Sequence, residues 1–138
     1  MRYILVDTSF LVSVYDKREP RHKQCVQVHD ETLGQLVTCE AVVMEALHLL
    51  SRVHGAGDAI LESVQRKILT VPFSLSDSIS AVAELMRKYH DTPADFADAC
   101  LIQMAEELGT GDILTLDSDF KHYRWRRNRS FSLLVPLD

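Results

Sequence analysis

Tyr3-Ile4-Leu5-Val6-Asp7-Thr8-Ser9 is the stretch from which the architecture of this chain can be read. Its four apolar residues are continuous and partly β-branched, which predicts a short strand buried on both faces, as in the interior of a parallel sheet. The polar turn at Asp7-Thr8-Ser9 ends the strand, and a short helical segment is expected over residues 10–14.

The same alternation continues outward from that strand. Asp16-Lys17-Arg18-Glu19-Pro20 reads as a charged loop, and residues 21–33 suit a helix terminated by Gly34. Leu36-Val37-Thr38-Cys39 predicts a second buried strand, and residues 41–53 a strong helix ended by His54-Gly55-Ala56-Gly57. A further helix is expected over residues 58–67 and a short strand over 68–73, after which Ser74, Ser76, Asp77 and Ser78 open a new helix. Thr92-Pro93-Ala94-Asp95 predicts another helix start, with Thr92 as N-cap, Pro93 in the first position and Asp95 returning a bond to the cap. That helix should run to Leu108 and stop at Gly109, followed by strands over residues 113–116 and 131–135. Strands alternating with helices predict an α/β fold, a three-layer α/β/α sandwich with a central, mostly parallel sheet. Ligand sites in such sheets lie beyond the carboxyl ends of the strands, at a topological switch point. Asp7 and Asp117 both occupy that position.

Composition narrows the class. A chain of 138 residues fits one domain, residues 1–138, and can withdraw roughly 70% of its extended surface from water. The apolar run at residues 3–6 is far shorter than a signal-peptide core, and no segment approaches a membrane span, so a cytosolic protein with no membrane association is expected. Cys25, Cys39 and Cys100 are odd in number and widely spaced, which excludes a disulfide framework and a zinc knuckle. They read as buried small hydrophobes. His22, His29, His48, His54, His90 and His122 lack metal-ligand spacing, so any metal here would have oxygen ligands.

Four carboxylates stand beside apolar segments: Asp7 after the first strand, Glu45 within residues 41–47, Asp98 within residues 96–102, and Asp117 after Ile113-Leu114-Thr115-Leu116. A carboxylate at such a place is costly to desolvate unless it is paired, hydrogen-bonded or bound to a cation. Helical spacing puts Leu101, Ile102 and Ala105 on the face of Asp98. Each acid also has a local explanation. Asp7 suits a helix N-cap, Glu45 a surface pairing with Arg52 or His48, Asp98 a bond to a loop amide, and Asp117 with Asp119 an Asx-type turn. If the four converge, they form an oxygen-ligand site of the kind Mg²⁺ or Mn²⁺ prefers, suited to hydrolysing a phosphodiester.

The segments Val6-Asp7-Thr8-Ser9-Phe10-Leu11, Glu45 on a mid-chain helix, Ala97-Asp98-Ala99 and Thr115-Leu116-Asp117-Ser118-Asp119-Phe120 resemble the PIN-domain nucleases, in order and over nearly the whole length. The resemblance implies a compact α/β/α domain and a Mg²⁺- or Mn²⁺-dependent endoribonuclease site. Asp7, Glu45, Asp98 and Asp117 match the family's acidic positions, and Thr8 or Ser9 its small hydroxyl residue. Asp95 and Asp119 are additional acids beside them, Asp95 with its capping explanation. A stand-alone chain of this size is most similar to the VapC-like toxins of type II toxin/antitoxin pairs. Those are typically dimeric and held inactive by a small antitoxin.

Lys121-His122-Tyr123-Arg124-Trp125-Arg126-Arg127-Asn128-Arg129 places five cations and two aromatic rings immediately after the fourth acid. Removing those five positive charges from a formal net charge of −5 leaves the remainder at −10. Beside an acidic site, Lys121, Arg124, Arg126, Arg127 and Arg129 are expected to guide RNA by its phosphates, with Trp125 and Tyr123 available to stack bases. A charged loop, or a contact to a partner chain, is the alternative. A housekeeping RNA-processing nuclease and a catalytically silent RNA-binding or dimerisation module are the competing functions. A phosphoacceptor receiver domain or an aspartyl phosphatase fits poorly, because Asp7-Thr8-Ser9 lacks both a paired acid and a D-x-D pattern.

Overall fold

The strand β1 (Tyr3–Val6) lies at the centre of a five-stranded, all-parallel sheet in the computed structural model, which describes residues 1–92 and 94–137. Ile4, Leu5 and Val6 have no exposed surface, as their unbroken apolar character requires of a strand covered on both faces. On one side β1 pairs with β2 (Gln35–Val37), which pairs with β3 (Leu69–Thr70); on the other it pairs with β4 (Asp112–Leu114), which pairs with β7 (Ser132–Leu133). Leu5 stands opposite Val37 on one neighbour and Ile113 on the other.

Helices α1 (Thr8–Tyr15) and α2 (His22–Glu31) connect β1 to β2, and α3 (Glu40–Leu49) and α4 (Ala56–Gln65) connect β2 to β3. Helices α5 (Leu75–Lys88) and α6 (Phe96–Leu108) then carry the chain back past β1 to β4. Right-handed crossovers that step in opposite directions cover opposite faces, giving three layers. The direction reverses between β1 and β4, so the switch point lies where β1 and β4 end side by side. No helix among the described residues is long and apolar enough to cross a membrane.

Three expectations need correction. Helix α6 begins later than Thr92: Asp95 is its N-cap and Asp98 closes the capping box, Asp98 N donating to Asp95 Oδ1 at 2.9 Å and Asp95 N to Asp98 Oδ2 at 3.3 Å. Thr92 instead donates its hydroxyl to Tyr89 O at 2.8 Å, and Pro93 lies outside the described residues. The acid-x-x-acid spacing from Asp95 to Asp98 satisfies two orphan donors of the first turn, which a threonine three residues earlier cannot do. Helix α3 ends at Leu49, short of residue 53, and the chain then turns toward Gly55 at φ 77°. Finally, the basic segment is not a plain loop. A 3₁₀ turn (Ser118–Lys121) leads into an antiparallel hairpin of β5 (Arg124–Trp125) and β6 (Arg129–Ser130). Its tip is closed by Arg127 and Asn128, both at positive φ, as tight hairpin turns demand.

Candidate active site

The ends of β1 and β4 are tied by hydroxyls. Asp7 N donates to Leu114 O at 3.0 Å, extending the strand pairing by one residue. The Asp7 carboxylate caps α1, accepting from Thr8 N at 2.8 Å on Oδ1, while Oδ2 accepts from the hydroxyls of Thr115 at 2.7 Å and Ser9 at 3.1 Å. Ser9 Oγ in turn accepts from Leu116 N at 2.9 Å, and Thr115 Oγ1 from Asp117 N at 3.0 Å. Asp117 Oδ1 accepts from Asp119 N at 2.9 Å and so caps the 3₁₀ turn.

Asp98 enters from the first turn of α6 and is 6% exposed; Tyr123 donates its hydroxyl to Asp98 Oδ2 at 3.2 Å. Glu45 enters from α3, half-buried, and forms none of the ion pairs found among the described residues, so the expected partners Arg52 and His48 are not used.

These acids meet. Asp7, Glu45, Asp98 and Asp117 line one open cleft of about 360 Å³ together with Asp95, Glu19, Thr8 and Ser9. That is six carboxylates, and among the described residues no lysine, arginine or histidine lines the cleft beside them. Asp119 does not line it; its role here is the backbone donor that holds Asp117. Glu19 and Thr115 were missed from the sequence. Glu19 sat in an ordinary charge run, whereas Thr115, directly after an apolar strand and two residues before Asp117, occupies the position where a hydroxyl can reach a neighbouring strand end.

Electrostatics follow from the crowding. Burial pushes Asp7 up to about 6, against the opposing hydrogen bonds from Thr115, Thr8 and Ser9 and with help from the charge of Asp117. Burial likewise pushes Asp98 up to about 7, aided by the charges of Asp95, Asp7 and Asp117. Asp117 is raised as well, first by burial. Carboxylates that destabilise one another in this way are stabilised by a cation placed between them.

The donor set is compatible in kind with a hard divalent ion: only carboxylate and hydroxyl oxygens, with Thr8 Oγ1 buried and lacking a hydrogen-bond partner among the described residues. It is not drawn into a finished ligand shell, for no three histidine, cysteine, aspartate or glutamate side chains among the described residues are placed close enough to hold an ion. Asp7, Asp95, Asp98 and Asp117 are anchored by hydrogen bonds instead, the last three each through one oxygen.

The basic segment divides. Tyr123 is fully buried, and Trp125 is 8% exposed with its indole N–H donated to Ser130 O at 3.1 Å. A Cβ at Gly111 would run into the same indole. Both rings are thus held within the packing, which argues against base stacking by Trp125 or Tyr123. Arg126 Nε donates to Glu106 O at 2.8 Å near the end of α6, and Arg124 folds back on the carbonyls of Lys121 and Tyr123. Arg129 lies over the Trp125 ring at 5.4 Å. Lys121 and Arg127 remain exposed, and no hydrogen bond or ion pair among the described residues engages either side chain.

The geometry is that of a three-layer parallel α/β domain with an acidic cleft at its switch point and no cationic side chain among the described lining residues. Comparison with known proteins gives the family. The PIN-domain family model matches residues 4–126. Ribonuclease VapC26 of Mycobacterium tuberculosis is 30% identical over 97% of this chain and 93% of its own length. The crystal structure of Mycobacterium tuberculosis VapC20, described as a sarcin-ricin loop cleaving toxin, superposes with a TM-score of 0.80 at 22% identity, over 91% of this chain and 98% of that one. The chain belongs to the PIN-domain family.

Proposed function

We propose that this protein is a Mg²⁺- or Mn²⁺-dependent endoribonuclease, and that it acts in the cytoplasm as the toxin of a type II toxin/antitoxin pair. One observation carries the reading: six carboxylates from five places in the chain line a cleft at the β1/β4 switch point with no cationic side chain among its described lining residues. The similarity to a protein named a ribonuclease, over nearly the full length of both chains, supports RNA as the substrate class.

Asp7, Asp98, Asp117 and Glu45 would hold the ion, with Thr8 Oγ1 a further oxygen at the wall. A bound divalent ion supplies positive charge to a phosphodiester and acidifies water. The protein supplies the rest. Ser9 and Thr115 fix the Asp7 carboxylate by donating to Oδ2, and Asp95 N fixes Asp98. Glu45, free of an ion-pair partner among the described residues, orients the attacking water. Lys121 and Arg127 guide the RNA backbone toward a cleft that would otherwise repel a polyanion.

Asp7→Asn and Asp98→Asn should each lower cleavage of single-stranded RNA in Mn²⁺ by at least about a hundredfold, with circular dichroism unchanged. Full activity in both variants would refute the mechanism. Expression in a bacterial host should arrest growth, and co-expression of a small neighbouring antitoxin gene should relieve the arrest; a housekeeping nuclease would give neither effect. A homodimer is the expected assembly, to be read by light scattering.

A further inference from the structure

Tyr123 is the largest side chain that the fold buries completely. A buried phenol without a hydrogen-bond partner is costly, and this one spends its proton on the Asp98 carboxylate, donating to Oδ2 at 3.2 Å. Its ring has little freedom. Tyr89 meets it edge-on at 5.1 Å and 66°, and Phe120 at 5.0 Å and 85°, while Phe120 is itself held edge-on by Phe131 at 5.4 Å. The hydroxyl is thus delivered from the start of the hairpin segment to the first turn of α6 by a rigid aromatic stack.

The same Oδ2 accepts from Asp95 N at 3.3 Å. Two donors on one oxygen fix the rotation of the carboxylate, and no hydrogen bond among the described residues occupies Oδ1. Asp98 lines the cleft, and Oδ1 is its oxygen left available to a ligand there. Asp7 achieves a similar fixation with the short hydroxyls of Ser9 and Thr115. Asp98 sits on a helix with no hydroxyl neighbour in its own first turn (Phe96-Ala97-Asp98-Ala99) and borrows one from across the molecule.

We propose that Tyr123 is a positioning residue for Asp98: by holding Oδ2 it presents Oδ1 to the cation, and it sets metal affinity and turnover without touching ion or RNA. The inference rests on the metal-dependent reading of the cleft. It also gives the segment after the fourth acid a task inside the site, in place of the base-stacking role its aromatic residues suggest.

Tyr123→Phe keeps the ring and its packing and removes only the hydroxyl. Isothermal titration of the metal-free protein with Mn²⁺ should show affinity weakened on the order of tenfold, and kcat on single-stranded RNA should fall by about tenfold with KM unchanged, as for other partners that orient a metal-binding side chain. Tyr89→Phe removes a neighbouring hydroxyl that accepts from Arg124 N and should leave Mn²⁺ affinity unaltered. Wild-type affinity and kcat in Tyr123→Phe would overturn the proposal. Should the wild type itself neither bind Mn²⁺ nor cut RNA, the nuclease reading falls separately. Crystal structures of metal-free wild type and Tyr123→Phe then decide the positioning role: a rotated Asp98 carboxylate in the variant upholds it, an unmoved one removes it.

Discussion

At the scale of single residues, Asp98 shows how function and stability oppose each other. Its pKa rises from the usual 3.8 to about 7 in the folded protein, and that of Asp7 to about 6. The folded state therefore holds these protons more tightly than the unfolded chain does. Below about pH 4 both states are protonated and there is no penalty; as pH rises toward 7 the metal-free protein loses stability, and above 7 the loss levels off. Asp98→Asn, which keeps an acceptor for Asp95 N, should be more stable than metal-free wild type at pH 8, on the order of 1–3 kcal/mol by urea denaturation, and should lose that advantage near pH 4. Equal stabilities at pH 8 would mean the charge is already compensated. The acids were legible in the sequence, and so were their rival explanations. Asp7 is a helix cap, Asp98 does bond a loop amide, and Asp117 does make a local turn. A carboxylate has two oxygens, and at Asp98 and Asp117 one serves the local bond while the other has no hydrogen bond among the described residues. Sequence reasoning treated these as competing accounts because it has no view of which oxygen is used.

At the scale of elements, the hairpin separates cations that look alike in sequence. Arg126 is bonded to the end of α6 and Arg127 stands at the exposed tip. Arg126→Ala should cost about 1 kcal/mol of stability and leave RNA binding unchanged. Arg127→Ala should leave stability unchanged, weaken RNA binding and lower the slope of log K against log salt by about 0.7 for one lost phosphate contact. The reverse pattern would assign the patch to another partner. The burial of Tyr123 and Trp125 was legible in part, since His122-Tyr123-Arg124-Trp125-Arg126 alternates polar and aromatic residues with the period of a strand. The density of charge hid the alternation. The shift of the α6 start from Thr92 to Asp95 has a similar origin, because both residues open a cap-like spacing and the reciprocal bonds between Asp95 and Asp98 show which one is used.

At the scale of the whole molecule, the proposed cation binding would couple the cleft to global stability. Mn²⁺ at a hundredfold excess over its Kd adds about 2.7 kcal/mol, which for a domain of this size raises the thermal midpoint by on the order of 10 °C. Differential scanning calorimetry at pH 8 should show that rise for wild type and a much smaller one for Asp98→Asn; an equal rise in both would place the ion elsewhere. The alternation of strands and helices made the α/β class legible, and the position of Asp7 and Asp117 after strands pointed to a switch point. Strand order was not legible. That β4, late in the chain, lies against β1 depends on the long return through α5 and α6, and no local pattern encodes which edge of β1 it will join.

The hydrogen bond from Thr115 to Asp7 spans 108 positions. The joining of Asp7 and Asp117 in the cleft depends on that closure, which is among the most non-local events available to the chain and so among the slow ones in its folding. A polypeptide extended only through its first hundred residues already carries Asp7, Glu45 and Asp98, yet has no β4 to bring them a fourth acid or the Thr115 hydroxyl. The order of synthesis thus acts as a delay. The four acids can come together only once Thr115 and Asp117 have followed those first hundred residues, so the cleft is assembled late in the order of the chain.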